Sequence, residues 1–275
     1  MSSRAKSTVR TCRLGQVEYV ETARLQRSLR AAREAGAVED VLLLLEHDPV
    51  ITCGTRTEDA EIAYARTTGI PLVPVERGGK ATYHGPGQVV AYPIFSLARV
   101  DDDVKELVRR LEEAIIVTYE AHGVTTARRD GFPGVWVDPE LPGARKIASV
   151  GLRLTRGITF HGIALNVACD LEPFSWFTPC GIPDADMTSL VRELNLQDLG
   201  AAERAELVRS VEQRLADAIF DQFDATESPI GLDDLQLLAL RHPVEDPKLA
   251  LPEAGAQDGP IMRVTRIDLD EVGLT

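Results

Sequence analysis

Arg77-Gly-Gly-Lys-Ala-Thr-Tyr-His-Gly-Pro-Gly-Gln88 stands between two strand-like apolar runs, residues 72–75 before it and 89–95 after it. Four glycines in twelve residues let the backbone approach another group closely, because no Cβ intervenes. The N–H groups they leave open can hold a polar or anionic group. A plain turn needs one or two such residues, so the segment reads as a binding loop joining two neighbouring strands. On composition alone an irregular connection fits equally well.

Working outward, a helix is expected over 16–36, where Leu25, Leu29 and Ala32 recur at helical spacing and Gly36 supplies a stop. Residues 41–45 read as a buried strand and 49–54 as another short extended piece. Residues 88–96 read as a strand that Pro93 would place at an edge or a break. A helix over 101–121 carries three aspartates at its positive end and an apolar stripe through Val104, Leu107, Val108, Leu111, Ile115 and Tyr119. Short strands follow around 134–137, 145–155 and 157–170, then a helix over 201–223. Neighbouring strands with interspersed helices predict an α+β single domain with a mixed, mostly antiparallel sheet and flanking helices. The domain is expected to span 8–226. Residues 228–275, with five prolines and nine acidic against four basic residues, read as an acidic extension without a firm core, save for a strand over 262–269.

Composition narrows the function. The 275 residues carry a formal net charge of −13, the wrong sign for a general nucleic-acid binder. An acidic partner would therefore dock on a local basic patch. Residues 1–10 have cations but no apolar region after them, and the longest strongly apolar run, 41–45, is too short for a membrane span. Four cysteines (12, 53, 169, 180) without a C-x-x-C pair fit reduced thiols, hence a cytoplasmic setting.

Two strands are informative by parity. In Lys146-Ile-Ala-Ser-Val-Gly-Leu-Arg-Leu154 a regular strand puts Lys146 on one face with Ala148, Val150, Leu152 and Leu154. A lysine there loses hydration, which favours the neutral, basic amine; a solvated lysine at a frayed strand start is the plain alternative. In 161–169 the bulky residues are His161, Ile163, Leu165, Val167 and Cys169, and the others are small apart from Asn166. The small face suits an acyl chain or, equally, a closely packed helix. His84, His161, Cys169 and Cys180 lack the short paired spacing of a zinc site. Cys169 falls on the apolar parity and reads as a buried side chain. Cys180, in Thr178-Pro-Cys-Gly-Ile-Pro183, lies in a turn that presents its sulfur, with a structural turn cysteine as the alternative.

The segment 77–88 resembles the signature of the lipoyl(octanoyl) transferases, which move an eight-carbon acyl group from acyl carrier protein to a lysine of lipoate-dependent enzymes. The blocks 145–153, 160–166, 179–182 and 187–190 resemble that family's further motifs, in order. The resemblance implies the fold of biotin and lipoate-protein ligases. It implies Cys180 as acyl-accepting nucleophile and Lys146 as its acid–base partner. Around the acyl group it implies Arg77, Gly78, Gly79, Lys80, Ala81, Thr82, Tyr83 and His84, then Ser149, Val150 and Gly151, then Gly162, Ile163 and Ala164. The implied partners are acyl carrier protein, lipoyl domains of 2-oxoacid dehydrogenase E2 subunits and the glycine cleavage H protein; neither nucleotide nor metal is implied. An ATP-dependent lipoate or biotin ligase on the same fold is the nearest rival, and needs no cysteine. A non-catalytic binder would have no use for the Lys146–Cys180 pair.

Overall fold

Asp-Val-Leu-Leu-Leu-Leu-Glu-His, residues 40–47, has no polar face, and the structure buries it from both sides. Leu42 and Leu44 join one apolar cluster, while Val41, Leu43 and Leu45 join another. A strand apolar on both faces belongs in the middle of a covered sheet. The computed structural model describes residues 6–177 and 186–244. Cys180 and the expected strand at 262–269 lie outside these residues.

Among the described residues the chain runs β1 (Ser7–Val17), α1 (Tyr19–Glu34), β2 (Asp40–His47), β3 (Val50–Cys53), β4 (Leu72–Pro74), β5 (Ala81–His84) and β6 (Gln88–Ile94). It continues through α2 (Val104–Ala121), β7 (Ala127–Arg129), β8 (Phe132–Val137), β9 (Arg145–Thr155) and β10 (Ile158–Asn166). The last elements are β11 (Asp186–Met187), α3 (Leu190–Glu193), α4 (Ala201–Gln222), β12 (Ala225–Pro229) and α5 (Leu232–Arg241). The main sheet has the order β12-β1-β2-β6-β10-β9-β8-β7, with β11 paired to β9; a small sheet, β4-β3-β5, stands apart. Pairing is parallel at β12–β1, β1–β2 and β11–β9 and antiparallel elsewhere in the main sheet, as the α+β reading expected. Residues of α2 and α4 complete the cluster on one face, and α1 and α5 cover the other. No described helix is long and apolar enough to cross a membrane.

Two expectations are corrected and a third is narrowed. The first helix starts at Tyr19 because Gln16 and Val17 still belong to β1; Glu18 caps it, its carboxylate accepting from Val20 N and Glu21 N at 2.8 Å. The domain does not end at 226. Residues 225–229 pair with β1, and α5 packs on α1 through Leu235, which is fully buried. Without β12 the edge of β1 would present unpaired backbone groups. Of the two settings expected for it, an edge or a break, Pro93 takes the break, within central β6. Its carbonyl faces β10, accepting from Thr159 Oγ1 at 2.6 Å, so its missing N–H falls on that same side. There the β6–β10 ladder lapses between Ala91↔Ile163 and the bond from Thr159 N to Phe95 O, while the ladder to β2 continues through Leu42↔Pro93.

Candidate active site

A cavity of ≈ 490 Å³ opens where the glycine-rich loop meets β5, β9, β10 and the first turns of α1 and α2. That volume is in the range of small-ligand sites. Arg77 shapes one wall. Its guanidinium donates to Gly78 O (3.1 Å), Lys80 O (2.7 Å), Thr52 O (2.8 Å) and Thr52 Oγ1 (2.7 Å), so the loop is threaded around its own buried cation. Gly54, which sequence reasoning passed over, is part of the same construction: a Cβ there would stand 2.4 Å from Gly79 O. Gly79 takes φ +89°, which favours glycine. Lys80 lines the cavity and pairs with Glu61.

Strand alternation then divides the expected residues. Thr82 and His84 line the cavity together with Gly78 and Gly79. Ala81 and Tyr83 point the other way, into a cluster with Phe174, Phe177 and Met187, where the Tyr83 and Phe174 rings meet at 5.6 Å. Of the residues expected around the acyl group, these two are thus placed in packing rather than in the cavity wall.

His84 is neutral, and its tautomer follows from its neighbours. Gln88 Nε2 donates to Asn166 Oδ1 (2.9 Å) and Tyr83 O (3.2 Å), leaving Gln88 Oε1 to accept from His84 Nδ1–H at 2.7 Å. His84 Nε2 is therefore an acceptor. Burial, reinforced by His47 nearby, pushes the His84 pKa down to about 3. His47 donates from Nδ1 to Val17 O (3.0 Å) and accepts Tyr92 O–H at Nε2 (2.7 Å), and burial lowers its pKa to about 4. Tyr19 stacks on His84 with ring centroids 6.0 Å apart, and burial raises its pKa to about 12. Tyr19 and Tyr92 line the cavity, so its inner wall is polar yet uncharged at these rings.

Lys146 is 3% exposed and lines the same cavity, its Nζ 5.4 Å from the Trp136 ring centroid. The regular alternation expected from Lys146 to Leu154 fails at a bulge. Val135 pairs with Ala148 but Trp136 pairs with Lys146, leaving Ile147 as the extra residue. Ile147 and Ala148 both enter the core under α2, and Ile147 O accepts from the Tyr119 hydroxyl at 3.0 Å. Lys146 thus shares the cavity with Ser149 and Gly151; a Cβ on Gly151 would meet Arg77 Cδ at 3.2 Å. Val150 and Leu152 pack partly against the core and line the cavity with Val104 and Val108 of α2.

On β10, Gly162, Ile163 and Ala164 line the cavity. Their parity also needs correcting. Ile163, Leu165 and Val167 join the core under α2, but His161 has φ +57° and turns out of that series toward Tyr19, its Nδ1 3.5 Å from the hydroxyl. Gly162 is small for a local reason: a Cβ would stand 2.0 Å from Ala91 O. Burial holds the His161 pKa well below its usual value. Cys169 is buried, donates to Asn166 Oδ1 at 3.6 Å, and has its thiol pushed up to about 12 by burial. Burial also raises Cys12 and Cys53, so no described cysteine is poised as a thiolate.

A family model described as lipoyl protein ligase A/B catalytic domain matches residues 18–216. The chain is 46% identical to an octanoyltransferase of Mycolicibacterium smegmatis over 82% of its own length and 94% of the relative's. It belongs to the octanoyltransferase family. Another octanoyltransferase, from Corynebacterium jeikeium, is 47% identical over 66% of this chain and 76% of its own. Among solved structures, lipoate-protein ligase A bound with ATP superposes with a TM-score of 0.61 at 16% identity, covering 86% of this chain and 93% of that one. The octanoyltransferase chain therefore carries the lipoate-ligase fold that the sequence motifs implied.

Proposed function

We propose that this chain transfers an octanoyl group from acyl carrier protein to the ε-amine of a lysine in lipoyl domains, those of 2-oxoacid dehydrogenase E2 subunits and the glycine cleavage H protein. Cys180 carries the acyl group between the two, and Lys146 carries the protons. The supporting observation is a buried amine, Lys146, in the wall of a cavity formed by three of the family's motif segments. In addition β11, which the chain enters soon after Cys180, pairs at Met187 with Lys146.

The Cys180 thiolate attacks the thioester carbonyl, and the phosphopantetheine thiolate leaves. Lys146 accepts the thiol proton and returns it to that leaving group. The acceptor amine then attacks the acyl-enzyme; its proton passes through Lys146 to the departing Cys180 sulfur. Thioester exchange is nearly balanced and amide formation from a thioester is downhill, so the reaction needs no nucleotide or metal. The backbone N–H groups of the glycine-rich loop stabilise the oxyanion. Seven carbons in the cavity contribute about 6 kcal/mol at roughly 0.8 per methylene, enough to discriminate chain length.

Incubation with octanoyl-acyl carrier protein alone, followed by intact mass and peptide mapping, tests the reading. An octanoyl group on Cys180, absent in Cys180→Ser, is expected. An unmodified Cys180 under turnover conditions, with product formed only when ATP is supplied, would replace it with the ligase reaction.

A further inference from the structure

Glu112 is a buried carboxylate with no part in the proton route described above. It projects from α2, is 7% exposed, and has both oxygens occupied. Oε2 accepts from Arg128 Nε at 3.2 Å; Oε1 accepts the backbone N–H of Gly134 at 2.9 Å. A carboxylate taken out of water needs such partners, and losing one is costly. Gly134 has φ +111°, where side chains are strained. More telling is what surrounds it. A Cβ at 134 would stand 2.5 Å from Ala148 O, 2.7 Å from Lys146 Cε and 3.3 Å from Lys146 Nζ. The space a side chain would fill at 134 is the space through which the Lys146 side chain passes. On β8 the neighbouring Trp136 offers its ring to the same amine.

We infer that Glu112 and Gly134 are positioning residues for Lys146: the carboxylate fixes the β8 backbone, and the bare Cα of Gly134 leaves the slot that aims the amine into the cavity. The bulge at Ile147 explains why a slot is required. Lys146 is paired with Trp136 and Met187, but the register shifts immediately after it at Ile147, so its side chain leaves the sheet beside an irregular turn of the strand and Gly134 bounds its path. Arg128 steadies Glu112 and is itself held, donating to Arg109 O at 2.7 Å and Glu113 Oε2 at 2.8 Å. This inference rests on Lys146 as proton carrier, but its geometry can be read apart from turnover.

Competitive labelling with trace acetic anhydride and peptide mapping measures the reactivity of Lys146 in the full chain without substrate. Turnover of octanoyl-acyl carrier protein with a lipoyl domain is followed in parallel. In Glu112→Ala, Lys146 labelling should change several-fold and kcat should fall about 10²-fold, the usual consequence of a misaimed group, with KM for the donor within about twofold. Glu112→Gln keeps an oxygen for the Gly134 N–H and should restore both. A folded Glu112→Ala with parental Lys146 labelling and kcat overturns the inference; if that variant does not fold, Gly134→Ala decides in its place by the same two readings. Labelling that responds to Glu112 while Lys146→Ala turns over normally would uphold the positioning and sink the proton-carrier role.

Discussion

The backbone N–H of His161 donates to Gln26 Oε1 at 2.7 Å, so a helix side chain closes a gap in the middle of the sheet. The gap is the lapse of pairing between β6 and β10 beside Pro93, and Gln26 is 1% exposed. His161 is thereby held at its positive φ and kept on the α1 side, with its ring beside Tyr19.

Gln26→Ala leaves a buried N–H without its acceptor. The expected loss is about 1–3 kcal/mol of stability, read by urea unfolding at neutral pH. A variant as stable as the parent would mean that this backbone group is satisfied by other means.

Stability should fall on mild acidification. His47 and His84 have folded pKa values of about 4 and about 3, depressed chiefly by burial, and His161 is depressed for the same reason. The unfolded chain, with histidine near 6.5, binds more protons as the pH falls below that value. These groups therefore contribute fully above about pH 6.5, and the contribution is lost as pH falls toward the folded values. For His47 and His84 on the order of 2 kcal/mol each should disappear between pH 7.5 and pH 5, and His161 acts in the same direction. Unfolding curves at the two pH values check this; equal midpoints would contradict neutral buried imidazoles.

Arg77→Lys removes a planar fork whose donors reach Gly78 O, Lys80 O and both oxygens of Thr52. One ammonium cannot span these positions. The loop loses its internal anchor, and kcat/KM for the acyl donor should drop at least about 10-fold with about 1–3 kcal/mol of lost stability. Steady-state kinetics together with thermal unfolding separate the two effects; parental values for both would show the clamp to be dispensable.

Lys146→Ala should lower turnover by about 10²–10⁴-fold, the usual range for a proton-transfer group, while octanoate binding measured by calorimetry is retained. Parental turnover at neutral pH would remove Lys146 from the proton route.

Most of the sheet and the paired motifs were legible because their signals are local. Residues 41–45 show a continuous apolar run, and α2 an apolar stripe with an aspartate cap at Asp103. Harder to read was β1, whose exposed Arg13 and Gln16 blur the alternation, and α5, whose flanking prolines resemble a loose tail. The inner wall was half seen. Glycines marked the loop, but Tyr19 and His47 meet His84, and Tyr92 meets His47, only through tertiary packing. Parity failed at Ile147 and His161 for a shared reason: a bulge and a positive φ reverse a side chain's direction, and neither residue is a glycine that would advertise it. At Ala81 and Tyr83, by contrast, simple strand alternation would have separated wall from packing.

The bond from Thr188 N to Lys146 O, 3.0 Å long, continues the pairing of β11 with β9. Main-chain bonding thereby couples the lysine to the far side of the cysteine-bearing segment, and it does so independently of side-chain identity. The amine's backbone anchorage is accordingly separable from the apolar rim: recutting the cavity at Val104 or Val108 for longer or shorter acids leaves both β11 and the Gly134 slot in place.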